Sequence, residues 1–166
     1  MMLAFLPRLS LLASFLLSVH TLYGADTLLQ TNHVREENKN MLGIFVGGTN
    51  AHHDNFFTYG FEYHRVIALP FGFSLIGEDV PNNIEGHHEA ELVGLMTFNI
   101  LKNISLGLGP GLQFEKGKSA KLLGRISSSY IFLLGNDIEL IPSVDYNVVH
   151  DEPHNFIYGI TLGKQF

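Results

Sequence analysis

From Met41 to the last residue, apolar side chains alternate with small or polar ones at a period of two. That period belongs to strands, whose successive side chains point to opposite faces of a sheet. The segment around residue 110 shows it best. Ile104, Leu106, Leu108, Leu112 and Phe114 fall on one face, and Ser105, Gly107, Gly109, Gly111, Gln113 and Glu115 on the other. Phe57, Tyr59, Phe61 and Tyr63 likewise stand opposite Thr58, Gly60, Glu62 and His64. Phe156, Tyr158, Ile160 and Leu162 stand opposite Gly159, Thr161, Gly163 and Gln165. Eight segments read this way, at 41–49, 56–67, 71–79, 89–100, 104–115, 121–133, 138–149 and 156–166.

Alternation does not say which face is outside, since a soluble sandwich or a lipocalin-like barrel also alternates, with its apolar face inward. The polar face decides. It carries Gly43, Gly47, Gly60, Gly72, Gly107, Gly109, Gly111, Gly159 and Gly163, with Ser and Asn between them. Glycine weakens a solvated strand, because it loses entropy and packs nothing. It fits where space is short, as inside a narrow eight-stranded barrel filled by side chains. The apolar face is nearly free of charge, which suits lipid. Gly, Asn or a charge breaks every apolar stretch after residue 25, so no transmembrane helix is expected there. Only helices and closed barrels satisfy the whole backbone in lipid, which leaves the barrel. The expected fold is therefore all-β: an eight-stranded antiparallel up-and-down transmembrane barrel over residues 41–166.

The connections agree. Residues 68–70, 101–103 and 134–136 are tight links, whereas 50–55, 80–88, 116–120 and 150–155 are longer and more polar. Short turns on one rim and longer loops on the other is the pattern of membrane barrels with periplasmic turns. Aromatics on the apolar face also sort into two girdles. Phe57, Phe114, Tyr146, Phe156 and Tyr158 lie toward the loop rim, and Tyr63, Phe71, Phe73, Phe98, Tyr130, Phe132 and Phe166 toward the turn rim. Pro110 and Pro142 fall inside strands of a wall that has no free edge, and each is expected to require a bulge or kink.

The first 25 residues read as a cleavable signal peptide: Arg8 as the only charge before Asp26, an apolar run from Leu11 to Val19, and small residues at Gly24 and Ala25. The run is interrupted by Ser14, Ser18 and His20 and is too short for a membrane anchor. Residues 26–40 are polar and aperiodic, a flexible lead. Hydrophobic residues make up 46% and charged ones 16%, low for a soluble domain. With no cysteine there is no disulfide and no thiolate chemistry. A net charge of −6 leaves no basic footprint for nucleic acid.

Together these features resemble the small outer-membrane β-barrel families of Gram-negative bacteria. The closing segment from Tyr158 to Phe166 carries the likeness furthest, since the terminal Phe166 looks like the signal read by the barrel-assembly machinery. Lys164 departs from that signal, where a second aromatic is usual. The resemblance implies location in the outer membrane, contact with its lipids and lipopolysaccharide, and assembly by that machinery, with a monomer favoured. It brings no active-site residues.

Two groups of residues are candidates for chemistry. Arg125 faces the axis, with Asp145 or Asn147 opposite it, and Glu62 and Glu91 also point inward. The expectation is an Arg125–Asp145 pair, with Glu62 in the same network, acting as a plug, because a buried cation must be paired. The loop rim gathers His52, His53, Asp54, His87, His88, His150, Asp151 and His154, with Glu78 and Asp79 nearby. Imidazole with carboxylate suits a divalent metal such as zinc, although no established metal-site spacing is present. Otherwise no cofactor is implied. Some small outer-membrane barrels modify lipid A, but the His-x-Ser element of the deacylase family is missing here. Ser127 and Ser129 are expected inside and Ser128 toward lipid, so an enzymatic role is the weaker reading.

Overall fold

The computed structural model describes residues 40–51, 54–82, 88–101, 103–150 and 154–166. The expected signal peptide and nearly all of the lead lie outside these residues. Asn40, assigned to the lead, already belongs to the first strand.

Every described element is a strand: β1 (Asn40–Ala51), β2 (Asp54–Ala68), β3 (Phe71–Val80), β4 (Glu89–Leu101), β5 (Ile104–Glu115), β6 (Lys121–Tyr130), β7 (Phe132–Gly135), β8 (Ile138–Val149) and β9 (Asn155–Gln165). β6 and β7 are two segments of one barrel strand, since both pair with β8. Each strand pairs antiparallel with its sequence neighbour, and β9 closes on β1 from Met41↔Gln165 to Asn50↔Phe156. The result is a closed, eight-stranded, up-and-down barrel.

The sides are assigned as the sequence requires. Leu106, Leu108 and Leu112 are 41, 63 and 41% exposed on the outer face, whereas Ser105, Gly107, Gly111 and Gln113 between them are buried. The glycines lie where a side chain has no room. A Cβ on Gly159 would sit 2.6 Å from the Phe45 ring, and one on Gly111 would sit 2.8 Å from the Leu92 carbonyl oxygen. Phe45 itself points inward and is 2% exposed, lying over Gly47 and Gly159. By contrast, Gly77 and Gly124, outside the inward row, have open space where a Cβ would go.

Aromatic contacts fall at two depths. Toward the loop rim Tyr146 meets Phe156 at 4.9 Å, and toward the turn rim Phe71 meets Phe98 at 5.4 Å and Tyr130 meets Phe132 at 4.5 Å. The last turn puts Asn136 and Asp137 at φ 53° and 62°, the two positive values that a two-residue type I′ hairpin requires.

Two expectations are corrected. β1 and β2 pair as far as Ala51↔Asp54, so the six-residue loop expected at 50–55 shrinks to a two-residue link. Asn50 Nδ2 donates to Asn55 Oδ1 at 2.9 Å and extends the ladder upward. The prolines, in turn, make no bulge. The β4–β5 ladder runs from Val93↔Gly111 to Met96↔Leu108 without a change of register, skipping Pro110. The wall beside β8 runs from Ser143↔Ser129 to Leu140↔Phe132, skipping Pro142, and this gap divides β6 from β7. A missing N–H removes a ladder bond without inserting a residue. Ile131 in that gap donates instead to the Asn103 carbonyl at 2.8 Å, and Asn103 Nδ2 donates to the Ile131 carbonyl at 2.9 Å. The register shifts that do occur, at Val66/Ala68, Asn99/Leu101 and Leu133/Gly135, all lie beside the turn rim.

Candidate functional site

The inward face forms the site. Arg125 on β6 has no exposed surface. A guanidinium out of water needs both countercharge and acceptors for its fork of N–H groups. Nη1 lies 2.7 Å from Glu78 Oε2, and Nη2 makes a short contact to Glu91 Oε2. Nε donates to Asn147 Oδ1 at 2.8 Å. Asn147 Nδ2 then donates to both oxygens of Glu91, at 3.1 and 2.9 Å. The cation is thus held between β8 on one side and β3 and β4 past β5 on the other, where Glu78 and Glu91 are register partners.

This register corrects the direct Arg125–Asp145 pair: of the two residues expected opposite Arg125, Asn147 is its partner, while Asp145 stays within electrostatic reach of the guanidinium. Asn147 stands opposite Arg125, and Asp145 stands opposite Ser127. The direct ion pairs fall to Glu78 and to Glu91, which was expected to point inward. Sequence reasoning had grouped Glu78 with the rim, although the alternation Gly72, Ser74, Ile76, Glu78 runs along the buried side of β3 and would have placed it inside.

Glu62 forms a second centre closer to the turns. Ser74 Oγ donates to its Oε1 at 3.3 Å and Thr161 Oγ1 to its Oε2 at 3.1 Å, and Ser74 Oγ also lies 3.0 Å from His64 Nδ1. A cavity of about 20 Å³ separates the two centres. It is lined by Glu62, Glu78, Asp145, Ser127, Ser129 and Ser143, with Phe45, Ile76 and Ile141 among its apolar walls. Room of that size holds about one water. Below it Met41, Ile131 and Ile141 pack together, and Gln165 hydrogen-bonds Glu139 at the turn end. Val93, Leu95, Leu123, Val149 and Ile76 form another apolar cluster. Side chains therefore fill the axis in alternating polar and apolar layers.

The loop rim gives a thinner picture. His88 Nδ1 lies 3.5 Å from Asp79 Oδ1, and the His154 ring lies 5.6 Å from that of Tyr146. Asp54 is exposed at the start of β2, and His150 donates its backbone N–H to the Leu122 carbonyl. His52, His53, His87 and Asp151 lie outside the described residues. Among the described residues no three His, Asp or Glu side chains converge as a metal cage. Ser128 faces outward, and Ser127 and Ser129 face the cavity, as the alternation predicted. Phe166 is exposed on the outer face, and its N–H donates to the Asn40 carbonyl at 3.0 Å, which fastens the seam between β1 and β9.

Comparison with known proteins adds fold-level likeness only. No protein-family model and no curated protein matches the sequence. Among solved structures, the chain is similar to neisserial surface protein A, NspA (TM-score 0.57, 9% identity, 76% of this chain and 96% of that one). It is also similar to the N-terminal β-barrel domain of Pseudomonas aeruginosa OprF (0.51, 12%, 78% and 99%). A de novo designed transmembrane β-barrel matches as well (0.51, 11%, 78% and 97%). The architecture is thus that of small transmembrane barrels, natural and designed alike.

Proposed function

We propose that this chain is an exported protein that spans the outer membrane of a Gram-negative bacterium as a plugged barrel, with a structural or surface-interaction role. The observation that carries this reading is the outer wall. Ile44, Phe61, Phe71, Met96, Leu108, Leu122, Val144 and Leu162 are each at least half exposed, one on each of the eight strands of the closed sheet. Soluble monomers rarely expose contiguous apolar patches of more than a few hundred Å². A belt around the whole circumference calls for lipid. The layered lumen argues for a plug, since eight strands leave little more than side-chain room.

Membrane fractionation combined with heat-modifiable gel mobility tests the reading. The protein is expected in the outer-membrane fraction, with an unheated band that shifts on boiling. Recovery as a soluble periplasmic species without detergent would overturn it.

A further inference from the structure

We propose that the cavity between Glu62 and Asp145 is a binding site for a single monovalent cation, sodium by size and donor type. The middle of the lumen holds, among the described residues, four carboxylates, Glu62, Glu78, Glu91 and Asp145, and one guanidinium, that of Arg125. Arg125 is committed to Glu78 and Glu91. Asp145 lies within electrostatic reach of Arg125 but makes no ion pair with it, and Glu62 has only hydroxyl donors, from Ser74 and Thr161. A hydroxyl satisfies a lone pair but supplies no countercharge, and a buried charge left without one is costly.

The second observation is geometric. Asp145 is 3% exposed, and its Oδ1 is buried with no hydrogen-bond partner among the described residues. Asp145 lines the cavity, and so does Glu62. The remaining polar lining consists of the hydroxyls of Ser127, Ser129, Ser143 and Thr161 together with Glu78. The donor set is therefore all oxygen, which selects a hard cation over a transition metal. The volume of about 20 Å³ admits one ion or one water. No three carboxylates or histidines converge there as a cage, which disfavours calcium and magnesium, ions that take six or more oxygens. Enclosure by Phe45, Ile76 and Ile141 lowers the local dielectric and so strengthens the attraction.

A ligand that binds only the folded state raises the unfolding midpoint as its concentration rises. The test uses the full chain extracted in detergent micelles. Its thermal midpoint is followed by heat-modifiable mobility and circular dichroism at pH 8, while sodium chloride replaces N-methylglucamine chloride at constant ionic strength. The midpoint should rise and saturate with sodium, and rise less with potassium. Asp145→Asn, which keeps the shape and an acceptor for Ser127, should abolish the dependence. Ser143→Ala removes one lining hydroxyl with little bulk lost and should move the half-saturating concentration upward several-fold. A midpoint indifferent to sodium would overturn the proposal, and would mean that protons alone balance the carboxylates. A sodium dependence unchanged in Ser143→Ala, or in a folded Asp145→Asn, would overturn it too, by placing the ion elsewhere.

Discussion

Glu78 and Glu91 are paired across β3 and β4, and both close on the Arg125 guanidinium, which reaches them past β5. This contact ties strands far apart in the sequence and gives the lumen its one fully buried cation among the described residues. Breaking a buried pair by removing one partner is costly because the other charge stays behind. Arg125→Met is therefore expected to lower stability by about 3–5 kcal/mol. The triple change Arg125→Met with Glu78→Gln and Glu91→Gln should lose clearly less, because no charge is stranded. Urea unfolding of the refolded proteins in micelles measures both; equal losses would mean that the ion pairs themselves, and not stranded charge, set the cost.

The glycines of the lumen should not be equivalent. A Cβ on Gly163 meets only the flexible Met41 side chain, with Sδ and Cγ its nearest atoms. A Cβ on Gly109 collides with the Gly94 backbone carbonyl, which has nowhere to move. Gly163→Ala should cost under about 1 kcal/mol, and Gly109→Ala about 1–3 kcal/mol or a failure to fold. Folding yield in detergent separates them, and similar yields would show that the wall yields more than its backbone contacts allow.

Most of the fold was legible because two independent signals coincide. The period of two gave the strands to within a residue or two at most ends, and glycine on the polar face gave the sides. The failures lie where chemistry depended on register. Asp145 and Asn147 share a face, and choosing between them as the neighbour of Arg125 requires knowing that β6 pairs with β8 at Arg125↔Asn147. Glu78 was missed because its neighbour Asp79 and the polar, His- and Glu-bearing segment that follows drew the reading toward the rim. Of the bulge or kink expected at each proline, the bulge does not form, because a lost ladder bond inserts no residue and the register runs straight past both.

Phe166 lies at the end of β9, exposed on the outer face, and only its backbone is needed to meet Asn40. We propose that its exposed ring is the signal read during assembly. Phe166→Ala should reduce the outer-membrane level in cells several-fold while leaving refolding in detergent close to unchanged. A matching loss in both settings would make Phe166 a structural residue only.

Lipid-facing charge should be costly in a depth-dependent way. Leu108 lies in the middle of β5, 63% exposed, whereas Lys164 already lies on the outer face beside the turn rim. Leu108→Arg should destabilise the barrel in vesicles by about 2–4 kcal/mol, and Leu162→Arg, nearer the rim, by less. Vesicle unfolding in urea gives the two values, and equal penalties would argue against a bilayer centred on the middle of the strands.

The assignment of sides is tested most directly by spin labels on single cysteines, since the chain has none of its own. Labels at Ile160, Thr161 and Leu162 of β9, in protein reconstituted into bilayers, should alternate. Ile160 and Leu162 should be relaxed by oxygen dissolved in the lipid and shielded from a polar nickel complex, and Thr161 should be shielded from both. Oxygen relaxation strongest at Thr161, or no alternation along the strand, would contradict the account.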